Sequence, residues 1–130
     1  MTGKELVQNF FIEGYEKQNY DFVLNSLAPD DVDHSPAGAR GARAAADILK
    51  AVAGMFGELR VEVLDLFAEG DMVAARVRYS GIHTDDWMGI AATGRRVSFE
   101  ALEHFRVTGG VIAESWGYWP DREIEEILRR

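Results

Sequence analysis

The hydrophobic pattern of this 130-residue chain changes its period once, and that change constrains the fold more than any other feature. Before Gly57, apolar residues such as Leu6, Phe10 and Phe11 recur at helical spacing. From Leu59 onward they alternate with polar residues at every second position, which is the period of a strand. Because the helices precede the strands instead of alternating with them, the pattern predicts a single α+β domain spanning residues 1–130.

The first half of the chain predicts three helices. Thr2 and Glu5 fit a capping box at the start of a helix that runs to about Gln18. A short second helix covers residues 21–27 and a third covers residues 42–56, with a loop or short strand at residues 30–41 between them.

The second half predicts two hairpins and a final helix. The first hairpin turns at residues 69–71, and the second pairs residues 97–107 with residues 111–119. The segment 83–96 between them is long for a structural loop, and residues 121–130 have a helical pattern. We expect a curved, cone-shaped antiparallel sheet wrapped around the N-terminal helices, whose mouth forms a ligand pocket.

Charge and composition exclude several classes of function. The formal net charge is −8 and the arginines form dispersed pairs, so we expect no nucleic-acid partner. The chain has no cysteine, which excludes disulfides and thiolate sites. The first residues lack the apolar core of a signal peptide and no apolar run reaches membrane length, so we expect a cytoplasmic protein without membrane contact.

Glu103 is the anomalous residue of the second hairpin. Side chains alternate across a strand, and Glu103 is the one ionisable residue on the face that also carries Phe99 and Phe105. An unpaired charge on such a face is costly, so Glu103 must meet a partner, water or a ligand. We expect either a pocket carboxyl or a salt bridge with an arginine.

Asp121 follows the aromatic end of the last strand, where Trp116 and Tyr118 lie. A bulge at Gly117 would bring Asp121 to the face of Trp116, where it would serve as a pocket acid. Alternatively, its carboxylate caps the C-terminal helix.

The three histidines lie on separate elements without ligand-type spacing, so we expect no metal site. His34 and His83 lie in loops near strand ends, where pocket rims form, and either could assist proton transfer or orient a carbonyl. His104 lies on the polar face of its strand and is expected at the surface.

The order and spacing of several short segments resembles the SnoaL-like polyketide cyclases of the nuclear transport factor 2-like superfamily. The segments that carry the resemblance are His34-Ser35-Pro36, Ala68-Glu69-Gly70-Asp71-Met72-Val73, Gly81-Ile82-His83-Thr84, Met88-Gly89-Ile90, Thr93-Gly94-Arg95, Phe105-Arg106-Val107 and Gly110-Val111-Ile112-Ala113-Glu114. The similarity covers roughly residues 30–120.

The resemblance implies a sheet cone closed by helices, usually paired into a homodimer through the open sheet face. It also implies ring closure by intramolecular aldol condensation without metal or cofactor, with an aspartate near the end of the last strand as the acid/base. In this chain the family's aspartate position corresponds to Pro120, and Asp121 is one residue further on. The family's catalytic histidine and glutamine on the preceding strand correspond to Phe105 and Glu103.

The sequence therefore predicts a cofactor-independent acid/base enzyme acting on a small hydrophobic carbonyl compound. The predicted catalytic residues are Asp121, Glu103, His83 and His34. The predicted apolar wall consists of Phe99, Phe105, Trp87, Trp116 and Tyr118. The alternatives are a non-catalytic binding protein for an apolar ligand, an epoxide-hydrolase-like enzyme and a purely structural assembly domain.

Overall fold

The computed structural model describes residues 1–36 and 38–130 and contains four α-helices, one π-helical segment and five strands. In chain order these are α1 (Gly3–Asn9), the π-helical segment (Phe10–Glu16), α2 (Tyr20–Ser26), β1 (Leu27–Asp33), α3 (Ala42–Met55), β2 (Phe56–Glu69), β3 (Met72–His83), β4 (Arg96–Thr108), β5 (Val111–Tyr118) and α4 (Asp121–Leu128).

The predicted capping box opens the first helix. Thr2 Oγ1 accepts a hydrogen bond from the Glu5 amide at 3.1 Å, and Glu5 Oε1 accepts one from the Thr2 amide at 3.2 Å. Two amides that the first helical turn leaves without partners are thereby satisfied. The helix then continues without a break into the π-helical segment, which buries Phe10, Phe11 and Tyr15.

The five strands form one sheet in the order β1-β5-β4-β3-β2. All neighbouring strands are antiparallel except β1, which pairs in parallel with β5. The sheet is therefore mixed, whereas the sequence predicted a purely antiparallel one. Strand β1 begins at the predicted end of the second helix and overlaps the first residues of the segment 30–41, for which the sequence predicts a loop or short strand. Its pairing places residues 31–35 beside the end of β5.

The sheet has an inner face against the helices and an outer face turned away from them. Alternate residues of β3 and β4 fill the core on the inner face, and they include Val73, Val77, Tyr79, Phe99 and Phe105. The period-two pattern is explained by this arrangement, because one face of each strand packs against helices while the other faces solvent.

The register of β4 and β5 is regular around Gly117, so the bulge that would have turned Asp121 inward is absent. Glu103 pairs with Gly117, and its neighbour His104 pairs with Trp116. The register shifts further along, between Arg106 and Val107. The side chains of Trp116 and Tyr118 consequently lie on the outer face, opposite to Glu103.

Among the described residues, no helix combines the length and the apolar character needed to cross a membrane.

Candidate active site

Glu103 lies on the inner face of β4 with only 8% of its surface exposed. Its Oε2 atom accepts a hydrogen bond of 2.5 Å from the phenolic hydroxyl of Tyr79, which projects from the adjacent strand β3. The carboxyl therefore meets a neutral hydroxyl and not the arginine of the alternative salt-bridge prediction. A buried carboxyl without a positive partner is the kind of group that functional sites use.

Burial raises the pKa of Glu103 to about 7. Hydrogen bonds from Tyr79 and Trp119 act in the opposite direction, while the nearby charge of Asp33 adds to the rise. A carboxyl with such a pKa is divided between its acid and base forms at neutral pH. It can accept a proton and return it under the same conditions.

Aromatic side chains enclose the Tyr79–Glu103 pair. The Tyr15 ring meets the Tyr79 ring edge-on at 5.3 Å, and Trp119 and Phe99 pack on Tyr79 at 4.9 and 5.4 Å. Burial, together with the charge of Glu103, raises the pKa values of both tyrosines well above their usual range. Both hydroxyls therefore keep their protons and remain donors at neutral pH.

Asp33, Ser35 and Gly117 form a second polar group beside Glu103. The Ser35 hydroxyl donates to Asp33 Oδ1 and accepts a 2.7 Å hydrogen bond from the Gly117 amide. A methyl group on Gly117 would lie 3.1 Å from Glu103 Oε1 and 3.2 Å from Ser35 Oγ. Glycine at this position leaves the room that the carboxyl and the hydroxyl occupy.

Asp31 on β1 is a further buried acid of the same region. Burial raises its pKa to about 6, and the charges of Asp33 and Asp30 contribute. Three carboxyl side chains, those of Asp31, Asp33 and Glu103, line one cavity.

The cavity between β1, β4, β5 and the helices has a volume of about 40 Å³. Apolar side chains from the π-helical segment, α3 and the strands complete its wall, namely Phe10, Leu27, Ile48, Leu49 and Phe105. None of the described residues that line it is a lysine or an arginine. The site combines an apolar wall with acids whose protons are exchangeable near neutral pH, which suits proton transfer to and from carbon.

Two of the predicted site residues, Glu103 and Phe105, line this cavity. Phe99 is buried on the same face, where it stacks on Tyr79 and packs against Trp119, but it does not reach the cavity wall.

Asp121 does not enter the cavity. It is exposed at the first turn of α4, and the backbone position that caps this helix is Pro120. Because the register at Gly117 is regular, the chain leaves β5 without the shift that would have turned Asp121 inward. Neither of the two predicted roles, pocket acid or side-chain cap, matches this placement.

Trp116, Tyr118 and His34 lie outside the cavity as well. Trp116 is on the outer face, where the His34 ring stacks on it at 5.0 Å, and Tyr118 is exposed. His34 Nε2 is also 2.9 Å from Glu114 Oε2. The alternation of β5, uninterrupted at Gly117, explains why these aromatic residues do not face Glu103.

His83 and Trp87 are buried, but neither lines the cavity. The Thr93 amide donates a hydrogen bond to His83 Nδ1 at 3.1 Å, which fixes the orientation of the imidazole ring. Two backbone hydrogen bonds join His83 to Gly94 and Arg95. His83 therefore fixes the end of the long loop and does not contact the Glu103 site.

Five residues of the site are not singled out by sequence patterns, namely Tyr79, Tyr15, Asp31, Asp33 and Ser35. Tyr79 continues the apolar parity of Val73, Ala75 and Val77, and its hydroxyl was a signal of a polar contact on that face. Asp31 and Asp33 lie at alternating positions of one strand, which was a similar signal. They can be assigned to the site only once β1 is known to pair with β5.

No group of three or more histidine, cysteine, aspartate or glutamate side chains in residues 1–36 and 38–130 is arranged to hold a metal ion.

Comparison with known proteins connects this geometry to a family. The model of the family described as SnoaL-like polyketide cyclase matches residues 5–125. The chain is 30% identical over 116 residues to the aklanonic acid methyl ester cyclase DnrD of Streptomyces peucetius, covering 85% of this chain and 79% of the relative.

Two solved structures show the same fold. TsrD from Streptomyces laurentii matches with a TM-score of 0.87 at 26% identity, over 95% of this chain and 92% of that one. A SnoaL-like protein from Jannaschia sp. CCS1 matches with a TM-score of 0.89 at 20% identity, over 97% and 90% of the two chains. The expected α+β architecture with an open curved sheet is thus confirmed.

Proposed function

Because the chain belongs to the SnoaL-like polyketide cyclase family, we propose that it is a cofactor-independent acid/base enzyme that closes a ring in a hydrophobic carbonyl compound. The observation that carries the proposal is the buried Glu103 carboxyl, which has a pKa of about 7 and is hydrogen-bonded to Tyr79 beside a cavity. Family membership supports a cyclase or isomerase type of reaction, and the buried acid of the site supports proton transfer as its mechanism.

Glu103 acts first as the base. Its carboxylate takes a proton from the carbon next to a substrate carbonyl, and the electron pair of the broken C–H bond moves into the enolate. The enolate carbon then attacks a second carbonyl of the same molecule and forms a carbon–carbon bond. The resulting alkoxide takes the proton back from the Glu103 carboxyl. Every atom of the substrate is retained, so these steps consume no co-substrate.

The residues around Glu103 match this cycle. The Tyr79 hydroxyl stabilises the carboxylate form, and burial stabilises the carboxylic acid form, so neither state is strongly trapped. Apolar side chains keep water from the enolate, which would otherwise be protonated before it attacks. Tyr15, which lines the cavity and keeps its proton because burial raises its pKa, is a neutral donor near the developing negative charge.

A substrate must displace lining side chains in order to enter. The cavity volume of about 40 Å³ corresponds to roughly one water molecule, whereas ligand pockets typically hold about 300–1,000 Å³. Phe10 and Ile48 belong to helical elements on one side of the cavity and Glu103 to the sheet on the other. Separation of the helical side from the sheet would enlarge the site without moving the carboxyl.

Turnover of aklanonic acid methyl ester, the compound named for the relative DnrD, tests the proposal. The enzyme is expected to form a product of unchanged mass, detected by liquid chromatography and mass spectrometry. Glu103→Gln should reduce turnover roughly 100-fold or more, the usual contribution of a general base. Glu100→Gln changes the same chemical group on the outer face of β4 and serves as the control.

Each other outcome has a distinct meaning. Full turnover by Glu103→Gln contradicts the assignment of the base. Tight binding without product indicates a binding protein. An epoxide-hydrolase-like reaction is tested with a separate epoxide probe, styrene oxide, whose conversion to the diol adds the mass of one water.

We also propose that the protein forms a homodimer through the outer sheet face. Leu102 on β4 and Tyr118 on β5 are register partners there, and they are 59% and 60% exposed. Adjacent large apolar side chains exposed on a sheet face are typical of contact surfaces.

A further inference from the structure

Asp31 is a buried acid that the proposed reaction does not use. Only 2% of its surface is exposed, and its Oδ1 atom has no hydrogen-bond partner among the described residues. Buried polar atoms are nearly always paired, because an unpaired one gives up its hydration without replacement. The structure therefore offers an acceptor without a donor at the wall of the cavity that Glu103 also lines.

The surroundings of Asp31 define which partner would satisfy it. Asp33 and Glu103 line the same cavity, and the described lining residues include no lysine, arginine or histidine that could pair with it. Its pKa of about 6, raised by burial and by Asp33 and Asp30, leaves it mostly ionised at neutral pH. An ionised carboxylate only accepts hydrogen bonds, so the missing partner must be a donor.

The chemistry of the substrate limits which chemical group can donate a hydrogen bond to Asp31. A carbonyl or ether oxygen has no proton to donate and would be repelled by the carboxylate. A hydroxyl on an aromatic or enolic carbon donates strongly and is compatible with the apolar wall formed by Leu27, Ile48 and Leu49. An ammonium group would also donate, but it does not fit the neutral carbonyl compounds of the proposed reaction.

We propose that Asp31 is a specificity-determining residue that accepts a hydrogen bond from a hydroxyl group of the substrate, so that the site selects hydroxylated carbonyl compounds. The inference rests on the proposed function, because that function supplies the neutral carbonyl substrate. It adds a contact from β1 in the same cavity that the reacting carboxyl on β4 lines. The substrate would then be held at one point and deprotonated at another.

Binding of three naphthalene probes tests this inference without turnover. The probes are 6-hydroxy-2-acetonaphthone, its 6-methoxy counterpart, which lacks the donor, and 2-(aminomethyl)naphthalene, which carries an ammonium group. Titration calorimetry or probe fluorescence gives the dissociation constant of each. The wild-type protein should bind the hydroxyl probe roughly tenfold more tightly than the methoxy probe, as a hydrogen bond to a charged group implies.

Variants at position 31 test whether the preference for the hydroxyl probe over the methoxy probe depends on Asp31. Asp31→Leu, which keeps the number of non-hydrogen side-chain atoms and has no acceptor, should abolish the preference for the hydroxyl probe, and Asp31→Asn should weaken it. Asp30→Asn removes the same charge from an exposed neighbour and should leave the preference intact. Circular dichroism of each variant verifies that it is folded, and Asp31→Asn provides a second, milder substitution if the leucine variant does not fold.

Several results would overturn the inference. These are equal binding of the hydroxyl and methoxy probes by the wild type, an unchanged preference in Asp31→Leu and Asp31→Asn, and tightest binding of the ammonium probe. An inert Glu103→Gln substitution in turnover would instead overturn the proposed function while leaving an Asp31-dependent preference in place, so the two failures are distinguishable.

Discussion

The phenolic oxygen of Tyr79 lies 2.5 Å from Oε2 of Glu103, and both residues are buried on the inner face of the sheet. This pair places a carboxyl of raised pKa beside a neutral donor at a cavity wall. Elements that lie far apart in sequence create it, because β3 and β4 supply the pair while the π-helical segment and α3 cover it.

The buried carboxyl makes stability depend on pH. The pKa of Glu103 is 4.5 in the unfolded chain and about 7 in the folded protein, so the folded state holds this proton more tightly. Between these values the unfolded state loses its proton first, and stability therefore falls as pH rises from 4.5 to about 7. The full difference corresponds to about 3 kcal/mol.

Glu103→Gln removes this titration. The free energy of unfolding of the variant relative to the wild type should therefore increase between pH 4.5 and pH 8, by up to about 3 kcal/mol. Urea unfolding at a series of pH values measures it, with the exposed Glu123→Gln as the control. A constant difference across the series would show that Glu103 does not titrate in this range.

Tyr79→Phe should shift the pH dependence of activity upward. The hydrogen bond from Tyr79 lowers the pKa of Glu103, so its loss raises that pKa above about 7 and leaves less carboxylate at neutral pH. Turnover at pH 7 should fall, and the inflection of the pH–rate profile should move to higher pH. Tyr118→Phe, which removes an exposed hydroxyl on the outer face, should leave the inflection in place.

Asp121→Asn should have little effect on turnover. The residue is exposed at the start of α4 and lines no part of the cavity. We expect turnover within about twofold of the wild type, because a surface substitution away from the cavity usually changes even the stability by only about 0.5 kcal/mol. Steady-state kinetics measure it, and a loss as large as that of Glu103→Gln would show that Asp121 reaches the substrate in a conformation different from this one.

Leu102→Lys should dissociate the proposed dimer. A lysine at this exposed apolar position would bring like charges together across a symmetric contact and leave them without water. Sedimentation velocity should show a monomer for the variant and a dimer for the wild type and for Met88→Lys, an exposed position on the long loop. A wild-type monomer, or a dimeric Leu102→Lys variant, would contradict the proposed interface.

Local sequence patterns predicted most of the fold because each element has its own signal. The capping box, the alternation of β3 and β4 and the final helix are all determined by nearby residues. The sequence does not distinguish β1 from a loop, because this strand is short, is rich in aspartate and pairs in parallel with a strand some 80 residues later. Such a long-range pairing leaves no periodic signal of its own.

The site was only partly predictable for the same reason. The alternation of side chains along β4 was enough to single out Glu103, because a lone acid on an apolar face is visible in the sequence. The position of Asp121 depends on whether Gly117 interrupts the alternation of side chains along β5, which the sequence does not show. In the structure Gly117 pairs with Glu103 in regular register, so the alternation is not interrupted. Tyr79 and Asp31 join the site through contacts between strands, which no local pattern shows.

Hydrogen exchange at the carbon acids of aklanonic acid methyl ester in deuterated buffer tests the central role of Glu103 most directly. Mass spectrometry follows deuterium incorporation above the rate without enzyme, as a function of pH. We predict that exchange catalysed by the wild type increases with pH through an inflection near pH 7, the pKa of Glu103. The Glu103→Gln variant should show neither this catalysed exchange nor the inflection. Exchange of equal rate and equal pH dependence in Glu103→Gln would contradict the account.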